Sequence, residues 1–235
     1  MLFRSLGINS RNQLAVAERI LRRRKAEELM ADGVTIIDPQ TTFIDAEVRV
    51  GMDTVIYPFT FLEGVTVIGE DCCIGPHVRF QNMAVGDDVK AHYVYAHDAD
   101  VESGTDLGQF NHIRPDSHIG AGVKIGNFVE VKNSEIGAGS KLPHLSYIGD
   151  CDMGADVNMG CGTITVNYDG KNKFRTVIGD RAFVGCNSNL VAPITVGENS
   201  YVAAGSTITR DVPEGALSVA RARQKEIEGW HDKRK

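Results

Sequence analysis

The sequence predicts an all-β solenoid: a left-handed parallel β-helix of hexapeptide repeats, with an N-terminal linker helix and a charged C-terminal tail. Three observations predict it. An aliphatic residue recurs every six positions over most of the chain, a glycine often follows it, and aromatic residues make up only 7% of the 235 residues. A chain rich in glycine and aliphatic residues but poor in aromatic ones is typical of tight, repetitive packing.

The first element is a helix, predicted over residues 10–31. Ser10 and Gln13 have the spacing of a capping box. Apolar residues then recur at helical spacing, and Gly33 is a suitable stop signal. The basic run at residues 22–25 is interpreted as a solvated face of this helix, although an anionic-ligand site is the alternative.

The hexapeptide repeat is predicted to occupy residues 34–213. One inward aliphatic side chain per hexad and a small residue at the corner let three hexads close one triangular coil, and stacked coils bury each strand ladder. A β-sandwich is disfavoured, because its strands alternate with period two. The cleanest run consists of Ile178, Val184, Leu190, Val196, Val202 and Ile208.

The repeat is interrupted once before it ends. Between Ile164 and Ile178 lie 13 residues that do not keep the period of six. An interruption in a solenoid is normally a loop extruded from one corner, and such loops often carry function. After residue 213 the hexads stop, and residues 214–235 form the predicted charged tail.

Composition restricts the classes of function. The net charge of −6 argues against nucleic acid as the main partner. The five cysteines are an odd number and include no CxxC pair, which indicates reduced thiols in a cytoplasmic protein and neither a disulfide framework nor a zinc site. No apolar stretch approaches the length of a membrane span. We therefore expect no metal requirement, no membrane partner and cytoplasmic localisation.

Six motifs occur in a fixed order along the repeat. They are Arg114–Pro115, Gly126–Lys132, His144–Tyr147, Asn158–Ile164, Asn167–Gly170 and Leu190–Pro193. Together they resemble the C-terminal acetyltransferase half of the bifunctional bacterial GlmU family, in which glucosamine-1-phosphate N-acetyltransferase is joined to N-acetylglucosamine-1-phosphate uridylyltransferase. The resemblance runs from about Gly7 to the end of the chain.

The resemblance implies a role for individual residues. His144 would be the general base that takes a proton from the sugar amine, and Asn167 would donate to the developing oxyanion. The sugar phosphate and the sugar would be bound by Arg114, Lys132, Tyr147, Asn158 and Lys173. Acetyl-CoA, as a substrate, would be contacted by Cys161, Asn167, Tyr168, Cys186, Ala204 and Arg221.

The chain departs from the family pattern in several places. Cys186 stands where serine is usual, Cys161 stands where alanine is usual, and the coils between residues 81 and 109 match poorly. No nucleotidyltransferase signature is recognised. Residues 1–33 would then be the remnant of a preceding domain with its linker helix, of which the first five residues look foreign. We expect the chain to stop at N-acetylglucosamine-1-phosphate.

Two other readings of the repeat remain open. A γ-type zinc carbonic anhydrase uses the same fold and three histidine ligands, for which the candidates are His92 and His97 with His77 or His112. Another hexapeptide-repeat acyltransferase or a non-catalytic scaffold is also compatible with the hexads alone. Release of thiol from acetyl-CoA in the presence of amino-sugar phosphates would separate these readings.

The predicted assembly is a homotrimer with shared active sites. A β-helix coil is a filled, convex prism, so a cleft for coenzyme A must lie between prisms, and three prisms around a three-fold axis give three equivalent clefts. The resemblance to the GlmU family implies the same assembly, a trimer with composite sites. The extruded loop and the tail are suited to reach a neighbour, so that His144 and Arg221 of one site would come from different subunits.

Overall fold

The helix α1 (Arg11–Ala31) begins the computed structural model, which describes residues 7–231. Its first turn is closed by Ser10, whose Oγ accepts a hydrogen bond from the backbone N–H of Gln13 at 3.2 Å. The predicted helix and its capping serine are confirmed. The second bond of the capping box, from a backbone N–H to the Gln13 side chain, comes from Asn9 and not from Ser10.

The helix contacts the solenoid near its C-terminal end. Ala26 and Leu29 are its only buried residues, whereas the apolar residues that predicted it nearer the N-terminus are exposed: Leu14, Val16, Ile20 and Leu21. The basic run is paired along the helix, with Arg23 bonded to Glu27 at 2.7 Å and Lys25 to Glu28 at 2.8 Å. The interpretation of this run as a solvated face is right only for Arg23 and Arg24, which are exposed. Arg22 and Lys25 are half-buried, and the Arg22 guanidinium lies 4.2 Å from the centroid of the Phe43 ring.

After the helix the chain forms a parallel β-solenoid of about 10 turns. Its described strands are β1 (Thr35–Ile36), β2 (Phe43–Ile44), β3 (Arg49–Val50), β4 (Val55–Ile56), β5 (Phe61–Glu63), β6 (Val67–Ile68), β7 (Cys73–Ile74), β8 (Arg79–Gln81), β9 (Ala84–Val85), β10 (Lys90–Ala91), β11 (Val94–His97), β12 (Ala99–Val101), β13 (Asp106–Leu107), β14 (Asn111–Ile113), β15 (Ser117–Ile119), β16 (Lys124–Lys132), β17 (Glu135–Ile136), β18 (Lys141–Gly149), β19 (Cys151–Met153), β20 (Asn158–Met159), β21 (Ile164–Val166), β22 (Thr176–Ile178), β23 (Phe183–Val184), β24 (Asn189–Val191), β25 (Ile194–Val196), β26 (Tyr201–Val202), β27 (Thr207–Ile208) and β28 (Leu217–Ser218).

The strands form three faces, because each one pairs in parallel with its counterpart one coil later. Face one runs from β1 to β28, face two from β2 to β27, and face three from β3 to β25. The long strands β16 and β18 begin on face one and continue onto face two. The left-handed sense of the coil stays a prediction.

The interior is filled by the aliphatic ladder that the sequence predicted. Each of the six residues of the cleanest hexad run is at most 3% exposed. Strand pairing continues past residue 213, because Leu217 pairs with Tyr201 on face one. The domain boundaries stay a prediction, since residues 1–6 and residues 232–235 of the tail lie outside the described part of the chain.

The predicted extruded loop is present. Tyr147 pairs with Ile164, a step of 17 residues, but Ile164 pairs with Asn189, a step of 25 residues. The extra residues form a loop between β21 and β22, within residues 167–175. Among the described residues, no helix is long and apolar enough to cross a membrane.

Candidate active site

One corner of the solenoid, between face one and face two, stacks a single residue of each coil above the next. The pairing of β16 with β18 begins this column. It continues because the Asn187 N–H donates to the carbonyl of Cys161 at 2.7 Å and the Gly205 N–H donates to that of Cys186 at 2.8 Å. We name this the histidine corner, defined by Asn127, His144, Cys161, Cys186 and Ala204.

Arg221 joins the histidine corner from the segment that follows β28. Its Nη1 donates to the backbone carbonyl of Ala204 at 2.6 Å. The predicted base and four of the predicted acetyl-CoA contacts therefore lie along one edge of one chain. This places Arg221 on the same edge of the chain as His144, several coils further along. That one site takes the two residues from different subunits stays a prediction.

His144 itself is exposed and held only through its backbone. The Ser146 hydroxyl donates to the His144 carbonyl at 2.9 Å, and Leu145 takes the left-handed conformation, with φ of 43°. Within residues 7–231, no side chain hydrogen-bonds to the His144 ring. The imidazole is thus free to accept a proton from a bound molecule.

A second corner, between face two and face three, collects positive charge. Arg114 and Lys132 lie on adjacent coils, since the Arg114 N–H donates to the carbonyl of Val131. Nη1 of Arg114 is paired with Oε1 of Glu130 at 2.8 Å. The extruded loop brings Lys173 next to the Lys132 ammonium. The contact with Lys132 and the like charge of Lys132 lower the pKa of Lys173. Two facing ammonium groups suit an anion bound between them.

Asp150 lies at the same corner and was missed by the sequence analysis. It is 5% exposed, and its carboxylate accepts hydrogen bonds from the side-chain amides of Asn133 and Asn167. The Asn167 amide also lies 3.4 Å from the Tyr147 hydroxyl. We name this the lysine corner, defined by Arg114, Lys132, Asn133 and Asp150 together with the loop residues Asn167 and Lys173.

The extruded loop is ordered by its own hydrogen bonds. Tyr168 and Lys173 form an antiparallel bridge, and the Tyr168 hydroxyl donates to the carbonyl of Gly170 at 2.7 Å. Two backbone N–H groups of the turn donate to the carboxylate of Asp169, and these bonds lower the pKa of Asp169. At the far end the Arg175 guanidinium pairs with the Asp152 carboxylate.

The two corners are separated along face two. Gly149, which is the partner of Lys132 one coil later, follows His144 by five residue steps along β18, and at the strand rise this is about 16 Å. Asn158 lies on face one, paired with Lys141 and Phe183, and so is on the histidine side. The predicted base and the predicted phosphate ligands therefore lie at opposite edges of face two.

Comparison with known proteins shows which family the chain resembles. The family described as "Bacterial transferase hexapeptide (six repeats)" matches residues 175–210. Bifunctional protein GlmU of Geobacillus sp. (strain WCH70) is 57% identical over 229 residues, which are 97% of this chain and 50% of that protein. GlmU of Caldanaerobacter subterraneus subsp. tengcongensis is also 57% identical over the same shares of the two chains.

The predicted resemblance to GlmU is confirmed. The chain spans about half the length of the GlmU proteins it matches, and the hexapeptide repeat is consistent with the C-terminal half. Among solved structures, a UDP-N-acetylglucosamine O-acyltransferase from Moraxella catarrhalis is 15% identical with a TM-score of 0.46, and the match covers 79% of this chain and 71% of that chain.

The histidines proposed for a zinc site do not converge. His77 stacks on Tyr93 with ring centroids 4.8 Å apart, and the rings of His97 and His112 stack at 5.8 Å. The His92 Nδ1 lies 2.5 Å from the carbonyl of Gly75. In the part of the chain that the structure describes, no group of three or more histidine, cysteine, aspartate or glutamate side chains is placed to hold a metal ion.

The two cysteines that depart from the GlmU pattern occupy consecutive levels of the histidine corner. Cys161 is half-buried and Cys186 is exposed, and both are free thiols. Gly160 lies so close beneath the Cys186 backbone that an added Cβ would come within 2.5 Å of the Cys186 nitrogen. The coils are therefore in close contact here, and the thiols project from the same edge as His144.

Proposed function

We propose that this chain transfers the acetyl group of acetyl-CoA to the amine of glucosamine-1-phosphate. The product, N-acetylglucosamine-1-phosphate, lies on the route to UDP-N-acetylglucosamine, from which peptidoglycan and lipopolysaccharide are made. The observation that carries the proposal is 57% identity to a GlmU protein over 229 residues, with His144, Arg114, Lys132 and Lys173 all present.

The proposed reaction is a direct transfer between the two substrates. The imidazole of His144 takes a proton from the sugar ammonium group, and histidine suits this step because it titrates near neutral pH. The free amine attacks the thioester carbonyl carbon, so that a C–N bond forms and the C–S bond breaks. Coenzyme A leaves as the thiolate and takes up the second proton that the attacking nitrogen loses, while His144 releases the first to solvent. No acetyl-enzyme is formed.

The sugar phosphate is proposed to bind at the lysine corner. Lys132 and Lys173 face each other there, and their mutual repulsion lowers the pKa of Lys173 in the free protein. A phosphate dianion between the two ammonium groups would replace that repulsion with two attractive contacts. Arg114, on the neighbouring coil, would supply a third cationic donor while remaining paired with Glu130.

The separation of about 16 Å between the two corners supports a site shared between chains. Acetyl transfer requires the base and the bound amino sugar to meet. A lysine corner from one chain and a histidine corner from another satisfy this requirement. Closure around a three-fold axis then gives three identical sites, which is the homotrimer predicted from the sequence.

An exposed stripe beside the histidine corner supports the same assembly. Its residues follow the corner residue on successive coils, take left-handed backbone conformations and stack with ring centroids 4.8 to 5.5 Å apart. A straight stripe with the spacing of one coil best fits a partner with the same repeat, namely a second copy of the chain. The stripe consists of Phe59, His77, Tyr93, Phe110, Phe128 and Leu145.

The stripe stops where the proposed coenzyme site begins. On the next three coils the equivalent positions hold Gly162, Asn187 and Gly205. These small or polar residues leave the histidine corner uncovered beside Cys161 and Cys186. Subunit contact along the stripe and coenzyme binding beyond it would therefore occupy successive segments of one edge.

Release of thiol from acetyl-CoA tests the proposed function. With purified chain, glucosamine-1-phosphate should give thiol and N-acetylglucosamine-1-phosphate in equal amounts. Glucose-1-phosphate, which has the phosphate but no amine, should give none, and prior treatment with a chelator should leave the rate unchanged. Activity on other amino sugars but not on glucosamine-1-phosphate would overturn the substrate, and activity lost on chelation would overturn the mechanism.

A further inference from the structure

Asp150 is a buried carboxylate that the proposed chemistry does not use. It is 5% exposed and takes the left-handed conformation, with φ of 50°. A buried carboxylate is costly unless hydrogen-bonded. Here the amides of Asn133 and Asn167 supply those bonds, and the nearby positive charges are Lys173 and Arg175.

The bond from Asp150 to Asn167 fixes the start of the extruded loop. Asn167 is the first residue after β21, and its carbonyl accepts from the N–H of Phe174 at 2.9 Å, which closes the base of the loop. The same amide that donates to Asp150 lies 3.4 Å from the Tyr147 hydroxyl. The Asn167 amide thus links the base of the loop that carries Lys173 to the Asp150 carboxylate and to Tyr147 of face two.

A second asparagine–aspartate pair lies at the same corner, nearer the N-terminus. There the Asn82 amide donates to the Asp98 carboxylate at 2.9 Å, and Asp98 has φ of 51°. Asp98 is exposed, and no loop is inserted on that coil. The corner conformation is therefore common to both pairs, whereas burial of the carboxylate and its contact with Asn167 belong to Asp150 alone.

We propose that Asp150 is a positioning residue, whose carboxylate anchors Asn167 and so holds the extruded loop against Tyr147 and Lys132. The inference rests on the proposed acetyl transfer for its kinetic consequence, but not for its structural one. Asp150 touches neither substrate in this arrangement. It acts through Asn167 at the acetyl side and through the position of Lys173 at the phosphate side.

The kinetic signature follows from charge. Asp150→Asn keeps the size of the side chain but replaces an acceptor oxygen with a donor group that faces other amides. Asn167 then loses its anchor, which should lower kcat about ten- to a hundredfold, the effect of misplacing a reacting group slightly. Release of the loop also displaces Lys173, so the KM for glucosamine-1-phosphate should rise, although by less than in Lys173→Ala. A general loss of folding would instead lower Tm and the active fraction and leave KM unchanged.

The rate of limited trypsin digestion measures how firmly the loop is held, and it does not depend on an activity assay. Lys171 and Lys173 lie in the loop, and release of Asn167 should speed cleavage there about tenfold. Asp98→Asn is the matched control for Asp150→Asn, since it changes the same kind of pair on a coil without a loop. This control should keep the wild-type kcat and cleavage rate within about twofold.

The outcomes separate the two proposals. Faster loop cleavage in Asp150→Asn, with wild type inactive on glucosamine-1-phosphate, would sustain the anchoring role and overturn the proposed function. Unchanged cleavage and unchanged kcat would overturn the anchoring role and leave the function standing. If Asp150→Asn does not fold, Asn167→Ala replaces it in the digestion. Slow cleavage of that variant would equally overturn the anchor.

Discussion

The histidine corner and the lysine corner are organised in different ways. The histidine corner is a column of exposed residues, and the His144 ring has no hydrogen bond within the described chain. The lysine corner is built from partnered groups: Arg114 with Glu130, and Asp150 with two asparagine amides. The side chains of the lysine corner are therefore held in place by hydrogen bonds within the chain. The His144 ring of the histidine corner has no such bond and can bond to a substrate or to another subunit.

This difference follows from how each corner arises in the chain. The histidine corner needs only the repeat, since a regular coil returns one residue to the same edge every turn. The lysine corner needs the interruption of the repeat, because Asn167 and Lys173 lie in the inserted loop. The regular repeat places one residue per coil at the same edge. The inserted loop folds back and adds the polar side chains of Asn167 and Lys173 to the lysine corner.

Removal of the base should have the largest effect. His144→Ala is expected to lower kcat by about two to four orders of magnitude, the usual contribution of a general base. Steady-state rates of thiol release measure it. His118→Ala, which removes an exposed histidine of face three, should change kcat less than twofold. If His144→Ala raised KM and left kcat alone, the residue would bind substrate and not act as a base.

Loss of charge at the lysine corner should act on binding. Lys173→Ala is expected to raise the KM for glucosamine-1-phosphate about ten- to a hundredfold, since one charge-assisted contact to the phosphate is lost. Lys171→Ala, two residues away in the same exposed loop, is the matched control and should leave KM unchanged. Equal effects of the two substitutions would mean that the loop attracts the phosphate only by its overall charge.

Mixed trimers test whether the two corners of one site come from different chains. Inactive His144→Ala and Lys132→Ala chains are unfolded together in equal amounts and refolded. If the corners belong to different subunits, about one quarter of all sites receive an intact histidine and an intact lysine. If both come from one chain, no site recovers.

Wild type mixed with a chain carrying both substitutions is the control for the mixing experiment. It should keep about one quarter of its sites if the corners are shared and about one half if they are not. Shared corners therefore predict about one quarter of sites active in both mixtures. Corners from one chain predict no active site in the first mixture and about one half in the second. Recovery in neither mixture, with wild type refolding alone, would mean that mixed trimers do not assemble.

Substitution of Cys186 should have the smallest effect. Cys186→Ser keeps a polar group of similar size at the histidine corner and is expected to retain more than about one third of the wild-type kcat. Mass spectrometry of wild type during turnover should show no acetyl group on this thiol. Near-complete loss of activity, together with an acetylated Cys186 in wild type, would replace the direct transfer with a two-step reaction.

The sequence predicted the parts of the molecule that follow from periodicity. The hexad run from Ile178 to Ile208 identified the inward ladder, because each coil repeats the same contacts. The same regularity placed His144 at a corner. The break before Ile178 predicted the loop. The resemblance supplied the roles of these residues, which no spacing could give.

The parts that were missed depend on contacts across coils. Asp150 meets Asn167 only because the inserted loop begins at that corner, and the spacing of six does not show which way the loop folds. The apolar residues of α1 were correctly read as helical, yet Leu14 and Leu21 are exposed, since helical spacing does not say whether a neighbouring surface exists. Pairing of Leu217 with Tyr201 lies beyond the last recognisable hexad.

The two ends of the solenoid differ in how well their last coil is covered, and this difference predicts which end unfolds first. Each coil touches only the coils beside it, so cooperativity is one-dimensional and the terminal coils fray first. At the N-terminal end Ala26 and Leu29 of α1 are buried, whereas Leu217 of the last strand is 67% exposed. Local unfolding should therefore start at the coils that carry Ala204 and Cys186. These levels of the histidine corner should unfold before the lysine corner does.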